Sequence, residues 1–111
     1  MGAFAAGSAV RIAFPFTDLT QSKVRPAVVL AAAGRQDWVL VMVTSNPFAD
    51  ERAVVLDAAA FATGSLSRVS FVRPARLFTA HEAVMLSTVA QLTPKSLARV
   101  VEAVVAVVRG G

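Results

Sequence analysis

Ala27 to Ala33 and Trp38 to Thr44 are two apolar or β-branched runs separated only by Gly34-Arg35-Gln36-Asp37. A half-exposed strand alternates between apolar and polar residues, whereas a run that is apolar throughout has to be covered on both faces. The two runs therefore predict a buried hairpin, with its turn in the Gly-containing tetrapeptide. Elements around it are short. Val10 to Phe14 alternates as a strand, and Pro15 and Pro26 bracket a polar stretch, Phe16-Thr-Asp-Leu-Thr-Gln-Ser-Lys23, expected to be an ordered loop. Ser45-Asn46-Pro47-Phe48 breaks the pattern, Ala53 to Leu56 supplies a short strand, and Ala58 to Gly64 reads as a loop or helical turn. Leu66 to Val72 alternates again. Pro74 is expected to end that strand, with Arg76 to Thr79 as a further one, while His81 to Gln91 fits a short helix and a strand equally.

The last element is the clearest. Thr93 is a capping residue, Pro94 suits the first helical position, and Leu97, Val100, Val101, Val104, Val105 and Val108 recur at helical spacing before Gly110. Leu92 and Leu97 are spaced as a hydrophobic staple. Valine is a poor helix former, so this helix is expected to depend on docking its apolar face onto a sheet. The elements together predict a mainly β chain with helical pieces (α+β): a small, strongly curved sheet or partial barrel with a C-terminal helix. Residues 1–111 read as one domain, without repeats or a linker.

Composition narrows the function. At 111 residues the chain can bury roughly two thirds of its unfolded surface without staples. It has no cysteine and a single histidine, His81, which is expected in a turn or at the surface and leaves few ligands for a transition metal. The longest uncharged stretches, residues 38–49 and 83–94, fall short of the roughly 18 residues a membrane span requires. No basic segment precedes the apolar opening, so a signal peptide is disfavoured and the expected location is cytoplasmic. Eleven basic residues against seven acidic leave a formal charge of +4, and Ala58 to His81 contains Arg68, Arg73 and Arg76 without an acid. An anionic partner and a codon bias toward Ala, Val and Arg explain this surplus equally well. Phosphate-cradling Gly-rich loops, nucleophile elbows and His-Glu-x-x-His motifs are all missing from the sequence.

One set of segments is distinctive: Phe14-Pro-Phe-Thr-Asp-Leu-Thr-Gln-Ser-Lys-Val-Arg-Pro-Ala-Val-Val-Leu30, then Val41-Met-Val-Thr-Ser45, then Ser70-Phe-Val-Arg73. They resemble the MazF/PemK (Kid) toxin family in its Pro-Phe loop, its Lys-x-Arg-Pro step into a hydrophobic strand, its Thr-Ser strand end and its Ser-x-x-Arg strand. The resemblance runs from about Ser8 to Val108. It implies a compact SH3-like β-barrel of the CcdB/Kid/MazF type, a homodimer, and the toxin of a type II toxin-antitoxin pair inhibited by an acidic, MazE-like antitoxin. It also implies an endoribonuclease that cuts single-stranded RNA or mRNA at short sequences with no metal or cofactor. In that family the 2′-hydroxyl attacks the adjacent phosphate and leaves a 2′,3′-cyclic phosphate and a 5′-hydroxyl.

The family's catalytic positions correspond to Arg25 and Thr44. Arg25 would neutralise charge on the phosphoryl oxygens and take part in proton transfer, and the Thr44 hydroxyl would hydrogen-bond the same group. Phe16, Asp18, Ser22, Lys23, Ser45 and Arg73 are the corresponding candidates for RNA contacts. Each has a plain competitor: a surface Arg for Arg25, strand propensity for Thr44, a turn former for Ser45, a solvated loop for Ser22 and Lys23, and an Asx-turn for Asp18. Phe14, Phe16 and Phe48 are candidates for base stacking, with core or dimer packing as the alternative, and Phe16 is retained. Arg73 reads as a phosphate binder or a surface ion pair, because the Asp that follows it by two residues in some members is Ala75 here. Two other functions stay open: a non-catalytic module of the same barrel type acting on a protein target such as gyrase, and a nucleic-acid-binding barrel that is not a toxin.

Overall fold

A computed structural model describes residues 4–15 and 22–110. Seven strands form one antiparallel sheet that curls into a half-barrel: β1 (Ser8–Pro15), β2 (Ser22–Gly34), β3 (Asp37–Thr44), β4 (Val54–Leu56), β5 (Phe61–Gly64), β6 (Ser70–His81) and β7 (Met85–Leu92). Their spatial order is β4-β6-β3-β2-β1-β7-β5. A short 3-10 turn (Ala58–Ala60) precedes β5, another (Glu82–Val84) precedes β7, and the helix α1 (Pro94–Val108) follows the sheet. The curved sheet with its C-terminal helix agrees with the fold class expected from the sequence.

The two apolar runs form the predicted hairpin; Ala27–Val29 and Leu40–Val41 are buried between two cores, whereas the turn end departs from the expectation, with Ala31, Ala32 and Ala33 exposed. Ala9, Val28, Val41, Val43, Leu56, Val72 and Val100 of α1 form the core on one face, while Val10, Ile12, Ala27, Val29, Leu40 and Met85 form a second core on the other. Successive residues of β2 and β3 thus feed opposite cores. The hairpin turns through Arg35 and Gln36, both at positive φ (54° and 68°), the pattern of a type I′ turn. That backbone twists with the strands, which outweighs the cost of two non-glycine residues in left-handed conformations.

Several expectations are corrected and one left open is settled: Phe61–Gly64 is a strand rather than a loop, and the strand expected from Leu66 starts at Ser70. Ser22 and Lys23 belong to β2 rather than to a loop, because the strand runs through Pro26. Pro26 pairs with Arg11 of β1, and the β3 ladder starts only at Ala27, so this part of β2 lacks a neighbour on one side and tolerates the missing N–H. Pro74 does not end a strand either. It lies in β6, where Val72 pairs with Val43 and Leu77 with Val41, so residues 73–76 bulge opposite Met42 and need no regular ladder bonds. The segment 81–91 resolves into the 3-10 turn and β7, and the exposed His81 caps that turn by accepting the Ala83 N–H on Nδ1 (3.0 Å).

Helix α1 begins as its sequence specifies. Thr93 Oγ1 accepts the Ser96 N–H (3.1 Å), and Leu92 is buried with Leu97 packed against the same core. Only part of the valine stripe is covered: Val100 is buried, whereas Val101, Val105 and Val108 remain exposed. No helix among the described residues is long and apolar enough to cross a membrane.

Candidate active site

Arg25 and Thr44 come from the two central strands. The β2–β3 register pairs Ala27 with Met42, and continuing it two residues outward sets Arg25 opposite Thr44. The ladder stops at Ala27 and Met42, so the strands part here and the two residues flank an opening rather than a bonded pair. Both are half-buried. Strand alternation puts their side chains on the face that also carries Lys23, which is exposed. Thr44 Oγ1 accepts the Asn46 N–H (3.1 Å), which orients the hydroxyl and leaves its own proton available to a ligand.

Arg73 belongs to the same face by alternation from Val72, but its guanidinium is turned to the segment after β3. Its terminal NH2 donates to the Ala49 carbonyl (3.2 Å), and its Nε lies 3.8 Å from Asp50. In the same segment the Phe48 N–H donates to Asn46 Oδ1 and the Arg52 N–H to Asp50 Oδ1 (each 2.9 Å), so side chains fix consecutive turns. Phe48 stands 92% exposed on that segment.

Phe16 and Asp18 lie outside the described residues, as do the side chains of Ser22 and Phe14. Ser45 is exposed at the end of β3 and lines an open cleft of about 560 Å³. Arg25 and Thr44 line it, together with Arg11, Val24, Pro26, Val43, Leu66 and Arg68 and with Ser65, Ser67 and Ser70. Arg11 and Arg68, which contribute to it, were not candidates in the sequence. No acidic residue lines it. The acid-free segment around Arg68 was the one sequence signal for it; Arg11 gave none, since it read as an outward position of a strand.

The fold was compared with solved structures. MazF of Deinococcus radiodurans matches with a TM-score of 0.74 at 20% identity, each chain covered over 100% of its length. The MazE-MazF complex of the same organism matches with a TM-score of 0.77 at 19% identity, again over 100% of both chains. The chain has the MazF fold. An endoribonuclease in complex with its cognate antitoxin, from a mycobacterial species, matches at 0.71 and 17% identity, covering 99% of this chain and 96% of that one. No family model matches the sequence, and no curated protein matches it. On the MazF fold Arg25 and Thr44 sit at the ends of the two central strands, where the curl of the sheet leaves backbone and side chains accessible.

Proposed function

We propose that this protein is the toxin of a toxin-antitoxin pair and cleaves single-stranded RNA as a metal-independent endoribonuclease. The observation that carries the reading is the opposition of Arg25 and Thr44 where the β2–β3 ladder opens on a MazF fold. A phosphate between them would receive two planar guanidinium donors from Arg25 and the hydroxyl proton of Thr44. Both interactions strengthen as the phosphoryl oxygens gain charge, so they favour the transition state over the bound substrate. In the step itself the 2′-oxygen forms a bond to phosphorus and the bond from phosphorus to the 5′-oxygen breaks. The 2′-hydroxyl gives up its proton and the departing 5′-oxygen takes one up, with Arg25 taking part in the transfer. The products are a 2′,3′-cyclic phosphate and a 5′-hydroxyl. Lys23 on the same face adds positive charge for the flanking backbone, Ser45 a hydroxyl at the strand end, and Phe16, Asp18, Ser22 and Arg73 complete the proposed RNA contacts.

The protein acts as a homodimer in this reading, and the exposed Val101, Val105 and Val108 offer apolar surface suited to a subunit contact. The inhibitor is an acidic, MazE-like antitoxin segment, whose carboxylates compete with RNA phosphates for the arginines and which folds as it binds.

The test is incubation of the purified protein with a long single-stranded RNA in excess EDTA, beside Arg25→Ala, followed by sequencing of fragment ends and analysis of their phosphates. Expected are cuts at a recurring short motif with cyclic-phosphate and 5′-hydroxyl ends, lost in Arg25→Ala while circular dichroism and oligomer size stay unchanged. Cleavage that survives in Arg25→Ala would overturn the mechanism. Intact RNA from the folded wild type would overturn the function.

A further inference from the structure

The segment after β3 is fixed at two points to the strands beside it. At its start the Asn46 N–H donates to Thr44 Oγ1 (3.1 Å), and the Ala49 N–H donates to the Asn46 carbonyl (3.3 Å). The Ala49 carbonyl in turn accepts from a terminal nitrogen of Arg73 on β6 (3.2 Å). Thr44 pairs with Phe71, two residues before Arg73, so the contacts close a ring: along β6, out through the Arg73 side chain, back along residues 49–46 and into the Thr44 hydroxyl. Asp50 supplies the negative charge beside this ring. Its Oδ1 accepts the Arg52 N–H (2.9 Å), which fixes the turn, and its Oδ2 lies 3.8 Å from Arg73 Nε. That Nε–H is buried and meets no hydrogen-bond acceptor among the described residues, so the carboxylate beside it is what offsets its burial. The side chains of Asp50 and Arg73 are 15% and 24% exposed, shielded enough for their attraction to exceed that of a fully exposed pair.

We propose that Asp50 is a positioning residue for the cleavage site: it holds the Arg73 guanidinium against residues 49–50, and through the closed ring it fixes how Arg73 and the Thr44 hydroxyl are set relative to each other. The inference rests on the RNA-cleavage reading and adds to it a residue that touches neither the phosphate nor the RNA. An arginine side chain has several rotatable bonds and reaches a phosphate in many geometries, whereas a planar guanidinium held along one edge presents its remaining donors in one. Ala49 and Asp50 hold that edge, and the other terminal nitrogen is left to the RNA. On the Thr44 side, the Asn46 N–H occupies one acceptor site of Oγ1 for as long as residues 46–49 stay in place, and this bond aims the hydroxyl proton. A carboxylate near the path of RNA also repels phosphate, so Asp50 serves orientation rather than attraction.

The experiment measures single-turnover cleavage of a long single-stranded RNA with the full chain in saturating excess, which reads the chemical step independently of the fraction of active protein. Affinity is measured in parallel with a 2′-O-methyl RNA pool of random sequence, which lacks the attacking hydroxyl. Asp50→Asn keeps the acceptor for the Arg52 N–H and removes the charge that faces Arg73. It is expected to lower the rate roughly 10–100-fold while affinity changes by less than about twofold. In an Arg73→Gln background the same change is expected to add nothing, because the ring is already open. Thermal melts verify that each variant is folded, and Asp50→Ser, whose hydroxyl also accepts the Arg52 N–H, is measured beside Asp50→Asn with the same expectation. Wild-type rates in both Asp50 variants would overturn the inference and leave the RNA reading standing. Tighter RNA binding with an undiminished rate would overturn it too, since Asp50 would then compete with RNA for Arg73. An equal loss from Asp50→Asn with and without Arg73 would show an action that bypasses Arg73, which also overturns it. A wild type that cleaves no RNA would remove this inference together with the function it rests on.

Discussion

Gly64 closes β5 against β7 and leads directly into residues 65–68 of the cleft wall, so its substitution tests whether that wall is held by backbone contact. A Cβ built at Gly64 would lie 2.3 Å from the Val89 carbonyl oxygen and 2.9 Å from Ala90 Cα, both backbone atoms of β7 that cannot rotate away. Relief requires the β5–β7 edge to part by about 1 Å, enough to lose a ladder hydrogen bond worth about 1 kcal/mol. The left-handed backbone (φ +67°) adds about 1–2 kcal/mol for any residue with a Cβ. Gly64→Ala is therefore expected to cost roughly 2–3 kcal/mol, a large part of a typical stability of about 5–15 kcal/mol. Gly34→Ala provides the control. Its φ of +92° departs further from the left-handed basin, yet nothing lies within 4 Å of the added carbon, so it carries backbone strain without the clash. Urea denaturation of both variants, with unchanged m-values, reads the difference. Gly64→Ala is expected to be the less stable by at least about 1 kcal/mol. Equal losses in the two variants would refute the claim that β7 backbone fixes the cleft wall.

Thr44→Val is expected to lower turnover about 10²–10³-fold with little change in RNA affinity, because the hydroxyl acts on developing charge. Thr44→Ser retains both that donor and the acceptor for the Asn46 N–H, so single-turnover kinetics on the pair separate chemistry from packing. Replacing Arg35-Gln36 by Asn-Gly, residues that accept positive φ, is expected to stabilise the β2–β3 turn by about 1 kcal/mol, read as a higher urea midpoint. Thr93→Ala removes the cap on Ser96 N–H and is expected to cost about 1 kcal/mol; an unchanged midpoint would show that α1 is held by docking alone.

Local chemistry in the sequence foretold the elements whose ends it fixes. Thr93 and Pro94 marked the start of α1, and the apolar runs on either side of Gly34-Arg35-Gln36-Asp37 marked the central hairpin. What it did not foretell depended on partners remote in the chain. Pro74 read as a stop because a proline breaks a regular ladder, but the pairing of β6 with β3 bulges at residues 73–76 and accepts it. Ser22 and Lys23 read as loop for their polarity, although β1 pairs with both, Ser22 with Pro15 and Lys23 with Phe14. Which half of the helical stripe is core was not legible, because spacing defines a face but not how wide a surface the sheet offers to cover it; Val101 and Val105 fall outside that width. Arg25 and Thr44 were singled out only through the resemblance of their motifs to a family, and the strand register sets them opposite each other. Arg11 and Arg68 escaped because the cleft exists only once β5 has paired with β7 and brought residues 65–68 across the open end of the half-barrel.

That division bears on how one small sheet can hold both a reaction and a selection. Adjacent residues of a strand point to opposite faces, yet Arg25 and Pro26 on β2, and Thr44 and Ser45 on β3, all line one cleft where the two strands part. In the function proposed above, the reacting phosphate takes the charge of Arg25 and the hydroxyl of Thr44, and the rest of the cleft surrounds the neighbouring nucleotides. Because the same backbone carries both sets, their spacing is set by the β2–β3 register and by the point at which its ladder ends after Ala27 and Met42. In that function a substitution that fills the cleft far from Arg25 should alter which sequences are cut more than a change at Arg25, which should lower the rate at every sequence alike. Ser67→Trp and Arg25→Lys, compared on the full set of fragment ends from one RNA, test that separation: parallel loss at every site in both variants would mean that reaction and selection are not separate parts of the cleft.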